Sequence, residues 1–167
     1  MYLNETFKKN ETKLLVLLVS FLIFFSLFTF DIYSLPQDSI KVIAKSPEAE
    51  AASIYQIEFR LSKPLSPKGV IKIKFPKGFD LSNLQVAGSS TINGGFNLKV
   101  EDQTVILKRS GLGRLIKANE KADVKFAIVK NPSTPEKEYE LEIEILNENN
   151  LSLIKNREKI KIMPGRK

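Results

Sequence analysis

Cysteine, histidine and tryptophan are all absent from this chain of 167 residues. Without cysteine there is no disulfide, no thiolate chemistry and no lipidated cysteine to anchor the chain. Without histidine the chain lacks the commonest general base and the commonest transition-metal ligand. No serine stands in a Gly-x-Ser-x-Gly elbow, and the hydroxyl residues fall mostly in turns, where they bond to nearby backbone. A Ser–Lys pair, or two carboxylates for glycoside hydrolysis, stays open on composition alone. The acidic residues, however, sit on strand exteriors or in loops, with few aromatics to form a sugar platform. Gly111-Leu112-Gly113-Arg114 lacks the Lys-Ser/Thr ending and the long helix of a phosphate loop and reads as a turn. No residue is therefore singled out as catalytic, cofactor-binding or metal-ligating, and no cofactor is expected.

Long apolar runs are also scarce, with one exception. Leu14–Phe30, LLVLLVSFLIFFSLFTF, carries no charge and follows Lys8, Lys9 and Lys13. Lysines ahead of an apolar run hold that end in the cytoplasm. The run is short for a spanning helix, which needs about 20 residues, and long for the core of a signal peptide. It is apolar all round, unlike a helix packed on a globular core. Cleavage after Ser34 would place Ile32 and Ser34 at the positions a signal peptidase inspects; the alternative is a retained anchor. Both readings export everything from Leu35 onward, giving residues 1–34 as signal peptide or membrane anchor and 35–167 as one domain. An exported domain without disulfides fits a bacterial or archaeal surface.

The formal net charge is +7. Lys8, Lys9 and Lys13 cancel Glu5, Glu11 and Asp31, so the excess belongs to the exported part. Such a surface suits an anionic wall polymer or an acidic envelope or surface protein. The lysines are scattered, which also fits plain solubility. Nucleic acid is disfavoured, because Phe59, Phe75, Phe126 and Tyr139 fall in core phase and leave no exposed stacking platform. A membrane partner enters through Leu14 to Phe30 if that segment is not cleaved.

Beyond residue 35 the sequence alternates with period two. The apolar sets are Ile40/Val42/Ala44, Tyr55/Ile57/Phe59/Leu61, Ile71/Ile73/Phe75, Leu98/Val100, Val105/Leu107, Val124/Phe126/Ile128, Tyr139/Leu141/Ile143/Ile145 and Ile160/Ile162. Each puts one face in a core and one in water. Pro64, Pro67 and Gly69, then Pro76 and Gly78, Asn93-Gly94-Gly95, Glu101-Asp102, Asn131–Pro135 and Asn147–Asn150 punctuate them. Seven to nine short strands at this spacing predict an all-β, two-sheet antiparallel sandwich. Only Leu112–Ala118 suggests a helical turn. Glu138, Glu140, Glu142 and Glu144 would repel one another on one face. Pairing with the last strand would set Arg157, Lys159 and Lys161 opposite them. A calcium site there is poorly served, since carboxylates two apart on a strand are separated by about 7 Å. Asn150-Leu151-Ser152 is an exported sequon of a kind common by chance.

Three pieces, taken in order, carry a resemblance. They are Ala52–Phe59; the loop and strand Leu65–Phe79, with its "I-x-I-x-F-P-x-G-F" run; and Val129-Lys130-Asn131-Pro132 leading into Tyr139–Ile143. Together they resemble an immunoglobulin-like module of S-layer-associated and other secreted bacterial surface proteins. The chain departs from that pattern at Glu136-Lys137, where a glycine is usual, and in carrying one module. The resemblance implies a noncatalytic structural or adhesive module and transfers no active-site residue. The expectation is a noncatalytic exported surface module acting through protein or cell-wall contacts. The alternatives are a membrane-anchored accessory subunit of an envelope complex or surface filament, a carbohydrate-binding domain, or a small secreted hydrolase.

Overall fold

The computed structural model describes residues 37–165. The apolar segment Leu14–Phe30, the hydrophobic helix predicted for it and the cleavage position after Ser34 lie outside the described residues. Nine strands form: β1 (Ser39–Ala44), β2 (Ala52–Arg60), β3 (Val70–Lys74), β4 (Val86–Gly88), β5 (Phe96–Glu101), β6 (Thr104–Arg109), β7 (Ala122–Lys130), β8 (Glu138–Leu146) and β9 (Ser152–Lys161). Among the described residues there is no helix; Ile116, in the predicted helical turn, bridges Leu65 instead.

Pairing gives one sheet in the order β1-β2-β7-β4 and another in the order β5-β6-β3-β8-β9, all antiparallel. The first sheet has the A-B-E-D order of an immunoglobulin domain, and β3-β8-β9 supply C, F and G. The β5–β6 hairpin is an extra that widens the second sheet beyond β3. Its two-residue turn is Asp102-Gln103, with Asp102 in the left-handed region at φ 50°, as an aspartate tolerates. Tyr139 opens β8, and its hydroxyl reaches back to the Thr134 carbonyl at 3.5 Å, the corner contact typical of this fold.

The core lies between the sheets. Ile57, Phe59 and Val124 from one side meet Ile71, Ile73, Leu107, Leu141 and Ile143 from the other, all buried. At one end of the sandwich the rings of Tyr55, Phe75, Phe79 and Tyr139 stack in edge or tilted contacts, with centroids 5.1–5.3 Å apart between successive rings. Phe75 and Phe79 bury as the Phe-Pro-Lys-Gly-Phe motif predicts, and Gly78 makes the intervening turn at φ 105°. Asn131 explains the Asn-Pro motif. It is 2% exposed, accepts the Tyr55 hydroxyl at 2.7 Å, and donates to the Ser46 and Glu48 carbonyls at 2.8 Å each. It thus ties the end of β7 to the β1–β2 loop.

The acidic strand behaves as its alternation predicts. Glu138, Glu140, Glu142 and Glu144 stand opposite Lys161, Lys159, Arg157 and Lys155 in the ladder. Most ion pairs run diagonally, one step along: Lys159–Glu138 at 3.4 Å, Arg157–Glu140 at 3.4 Å and Lys155–Glu142 at 2.8 Å. Twist between neighbouring strands brings diagonal partners within reach.

One strand was not foreseen and one reading needs correction. Strand β4 carries no alternation long enough to be seen in the sequence, yet it pairs with β7. Ile128 does not continue the buried set of Val124 and Phe126. The register slips by one between Ser53 and Tyr55, Ile128 turns outward, and Val129 takes the buried place. An extra residue on one strand reverses every later face.

Candidate functional site

The outer face of the four-stranded sheet is the least ordinary surface in the described part. Ile54 and Ile128 are each 45% exposed and Val86 is 62% exposed. The ladder sets Val86 opposite Ala127, while Ile54 faces the bulged pair Ala127-Ile128. Ile54, Val86 and Ala127 line a shallow hollow of about 250 Å³ with Lys125 and Ser90 at its edge. Lys41 and Ile43 extend the face onto β1, opposite Glu58 and Gln56.

Ile128 is held at φ 68°. A β-branched side chain in that region is an outlier, because its Cβ crowds the following carbonyl. Strain of this kind persists where the surroundings impose it and collects at functional positions. Here it turns an isoleucine outward beside Ile54.

A polar lock on the same face holds the segment that follows the short edge strand. Asp123 is buried; its Oδ1 accepts the Ser89 and Thr91 hydroxyls and the amides of Ser90 and Thr91 at 2.8–3.0 Å. Its own amide donates to the Thr91 hydroxyl. Gln56 and Lys125 approach the second oxygen at 3.4 and 3.5 Å. Burial opposes the charge, but the bonds from Thr91, Ser89 and Ser90, with Lys125 nearby, hold the carboxyl below its ordinary range. The lock therefore holds Ser89–Thr91, the segment that leaves β4 directly after Gly88.

A second anchor lies at the end of the sandwich where β6 finishes. Arg109 is buried and donates to the carbonyls of Leu65 at 3.1 Å, Ser66 at 2.7 Å and Arg114 at 2.6 Å. No carboxylate faces it in these bonds, and its Nε has no hydrogen-bond partner. Burial, and then the nearby Arg114, lower its pKa. The Gly111–Arg114 turn read from the sequence is the loop that Arg109 supports, and Leu112 at its tip is 86% exposed.

Among the described residues no group of three or more acidic side chains converges as a metal site. No helix there is long and apolar enough to cross a membrane. The sequon Asn150-Leu151-Ser152 falls in the β8–β9 turn, with Asn150 at φ 59°. The sequence alone did not disclose the exposed patch. Ile54 lies on the polar face of its strand's alternation, which is a signal, but Ile128 needed the bulge to be known.

No family model matches the chain, and no curated protein matches it. Solved structures do. The N-terminal domain of the Streptococcus gordonii adhesin Sgo0707 superposes with a TM-score of 0.50 at 14% identity, covering 77% of this chain and 33% of that one. An uncharacterized protein from Nocardia farcinica with an immunoglobulin-like fold gives a TM-score of 0.49 at 9% identity, over 74% of this chain and 97% of that one. The major pilin SpaD of Corynebacterium diphtheriae gives 0.49 at 16%, over 74% and 34%. At these identities the likeness concerns the fold. The narrower kinship with S-layer-associated modules rests on the sequence motifs alone, while the strand order of the two sheets identifies the described part of the chain as an immunoglobulin-like β-sandwich.

Proposed function

We propose that the chain is a noncatalytic exported surface module that binds a protein through the outer face of its four-stranded sheet. The observation that carries this reading is Ile128, a β-branched residue kept in left-handed backbone and exposed beside Ile54 and Val86. A solvated sheet face has no use for such a residue, and removing the strain would stabilise the fold. Aliphatic side chains at the centre with Lys41 and Lys125 at the margin suit a protein surface of apolar centre and acidic rim. They suit a polysaccharide less, because that contact wants aromatic faces. The absence of histidine and cysteine from the sequence supports the noncatalytic part.

The test is site-specific crosslinking on intact cells. A photoreactive residue at Val86 should give a discrete adduct, and one at Thr104, on the outer face of the other sheet, should not. Equal adducts at both positions would refute the assignment of the face. Hydrolase activity abolished by a single serine or carboxylate substitution would refute the noncatalytic reading.

A second reading adds that the domain is held at the membrane by an uncleaved Leu14–Phe30. What favours it is the place where the chain joins the sandwich. Ser39 pairs with Arg60, and Asp38 accepts the amide of Ser62, so the chain enters at the end that displays exposed leucines. Sequencing the N-terminus of the mature protein decides this. A start at Leu35 would refute tethering.

A further inference from the structure

We infer that the end of the sandwich at which the chain enters is a lipid-contacting surface that rests on an anionic bilayer. This inference rests on the tethered reading above and adds which face meets the membrane. The entry at Asp38–Ser39 lies beside the β2–β3 loop, the β6–β7 loop and the β8–β9 turn, because β2, β6 and β8 all finish at this end. Those loops expose Leu112, Leu115 and Leu151, the first at 86% and the last at 63%. Lys63, Lys68 and Lys117 are exposed around them. Glu148 is exposed in the β8–β9 turn and Glu120 pairs with Arg114 in the β6–β7 loop, so lysine and arginine predominate here without being alone; the opposite end is more acidic, with Glu50, Asp102 and Glu136 beside Lys77 and Lys137.

The leucines stand on a stiff support. Arg109 bonds to three loop carbonyls from below. The Asn93 side chain accepts the Arg114 amide at 3.0 Å. Gly94 and Gly113 let the two loops touch: a Cβ on Gly113 would lie 2.1 Å from the Asn93 carbonyl oxygen. Such a loop presents Leu112 at little entropic cost on contact.

Two arguments choose the lipid as occupant. The first is reach. The apolar run ends at Phe30 and β1 begins at Ser39. Residues 31–38, even fully extended, span at most about 30 Å at ~3.3–3.6 Å per residue, so the linker allows this end no more than that distance from any bilayer the run crosses. The second is charge. Lysines beside exposed aliphatic side chains complement an anionic interface, with leucines at the acyl boundary and ammonium groups among headgroups.

The lack of native cysteine makes the experiment clean. The full chain, reconstituted in vesicles of phosphatidylcholine and phosphatidylglycerol, carries one fluorophore at Leu112→Cys or at Ser133→Cys on the opposite end. Both sites are exposed, so folding is not at risk. Shallow doxyl-labelled lipid should quench the label at position 112 several-fold more than at 133. Leu115→Ser with Leu151→Ser should reduce that quenching. Equal quenching at the two positions, or more at 133, would overturn the lipid contact. Protection of position 112 from aqueous iodide without doxyl quenching would overturn it too, and assign this end to a protein or a second copy. Failure of the full chain to float with the vesicles would instead overturn the tethering beneath it.

Discussion

Replacing Asn131 with alanine removes three hydrogen bonds from one buried point. The Tyr55 hydroxyl loses its acceptor inside the core, while the Ser46 and Glu48 carbonyls lose their donors. Tyr55 is fully buried, and burial raises its pKa, so its hydroxyl stays a neutral donor that water cannot reach. Leaving such a group unpaired costs about 1–3 kcal/mol, and each half-buried carbonyl adds roughly 0.5–1.5 kcal/mol. The expected loss is therefore about 2–6 kcal/mol. Tyr55→Phe leaves the Asn131 oxygen without a donor but keeps both amide bonds, and should cost about 1–3 kcal/mol. The double variant should be less destabilised than the sum by about 1–2 kcal/mol, since neither partner is then stranded. Without tryptophan, urea unfolding is best followed by far-UV circular dichroism, and Asn131→Ala should lower Tm by roughly 10–20 °C for a domain of this size. A loss below about 1 kcal/mol, or strict additivity, would refute the claim that Asn131 joins the end of β7 to the β1–β2 loop.

Other perturbations probe the remaining anchors. Ile128→Gly should stabilise the fold by about 0.5–1 kcal/mol, relief of left-handed strain outweighing the entropy of glycine, while abolishing the Val86 crosslink; a loss of stability would show that the side chain packs. Gly113→Ala should cost about 2–4 kcal/mol in urea unfolding by forcing Asn93 aside. Arg109→Lys should cost at least about 2 kcal/mol, because an ammonium cannot span three carbonyls as the fork does. The acid limb should show Asp123 and Glu120. Asp123's carboxyl is held below its ordinary range, and that of Glu120 is lowered to about 2 by its bond to Arg114 and the Lys117 amide. A depressed carboxylate contributes stability above its unfolded pKa and loses it as pH falls through the folded value. Tm should therefore drop from about pH 4 downward, and Asp123→Asn should flatten that drop in a pH series of thermal melts.

Much of the fold was legible because alternation reports burial directly. Ile71 and Ile73, or Tyr139 through Ile145, can satisfy a period of two in only one way, and proline and glycine mark where each run stops. The Glu138–Glu144 comb was legible for the same reason: four like charges on one face need partners, and β9 is the basic strand. What the sequence hid is local. Strand β4 has three residues, too few for a pattern. The bulge at Ile128 is set by the pairing of β7 with β2, which no local rule records. Arg109 looks like any strand-end arginine until its three carbonyl partners come together from distant loops.

That division bears on function. The buried polar residues Asn131, Asp123 and Arg109 each fasten loops or strand ends to the sandwich, so the sheets themselves are free of polar obligations on their outer faces. The second sheet fills its outer face with paired charges, which contribute little and are screened by salt. The first sheet does not. It places Ile54, Val86 and a strained Ile128 in water, where pairing and solvation both argued for polar residues, and Val86 is held there by its pairing with Ala127. On the proposed reading these side chains serve a partner outside the fold, and a gain of stability in Ile128→Gly is the result that this reading requires.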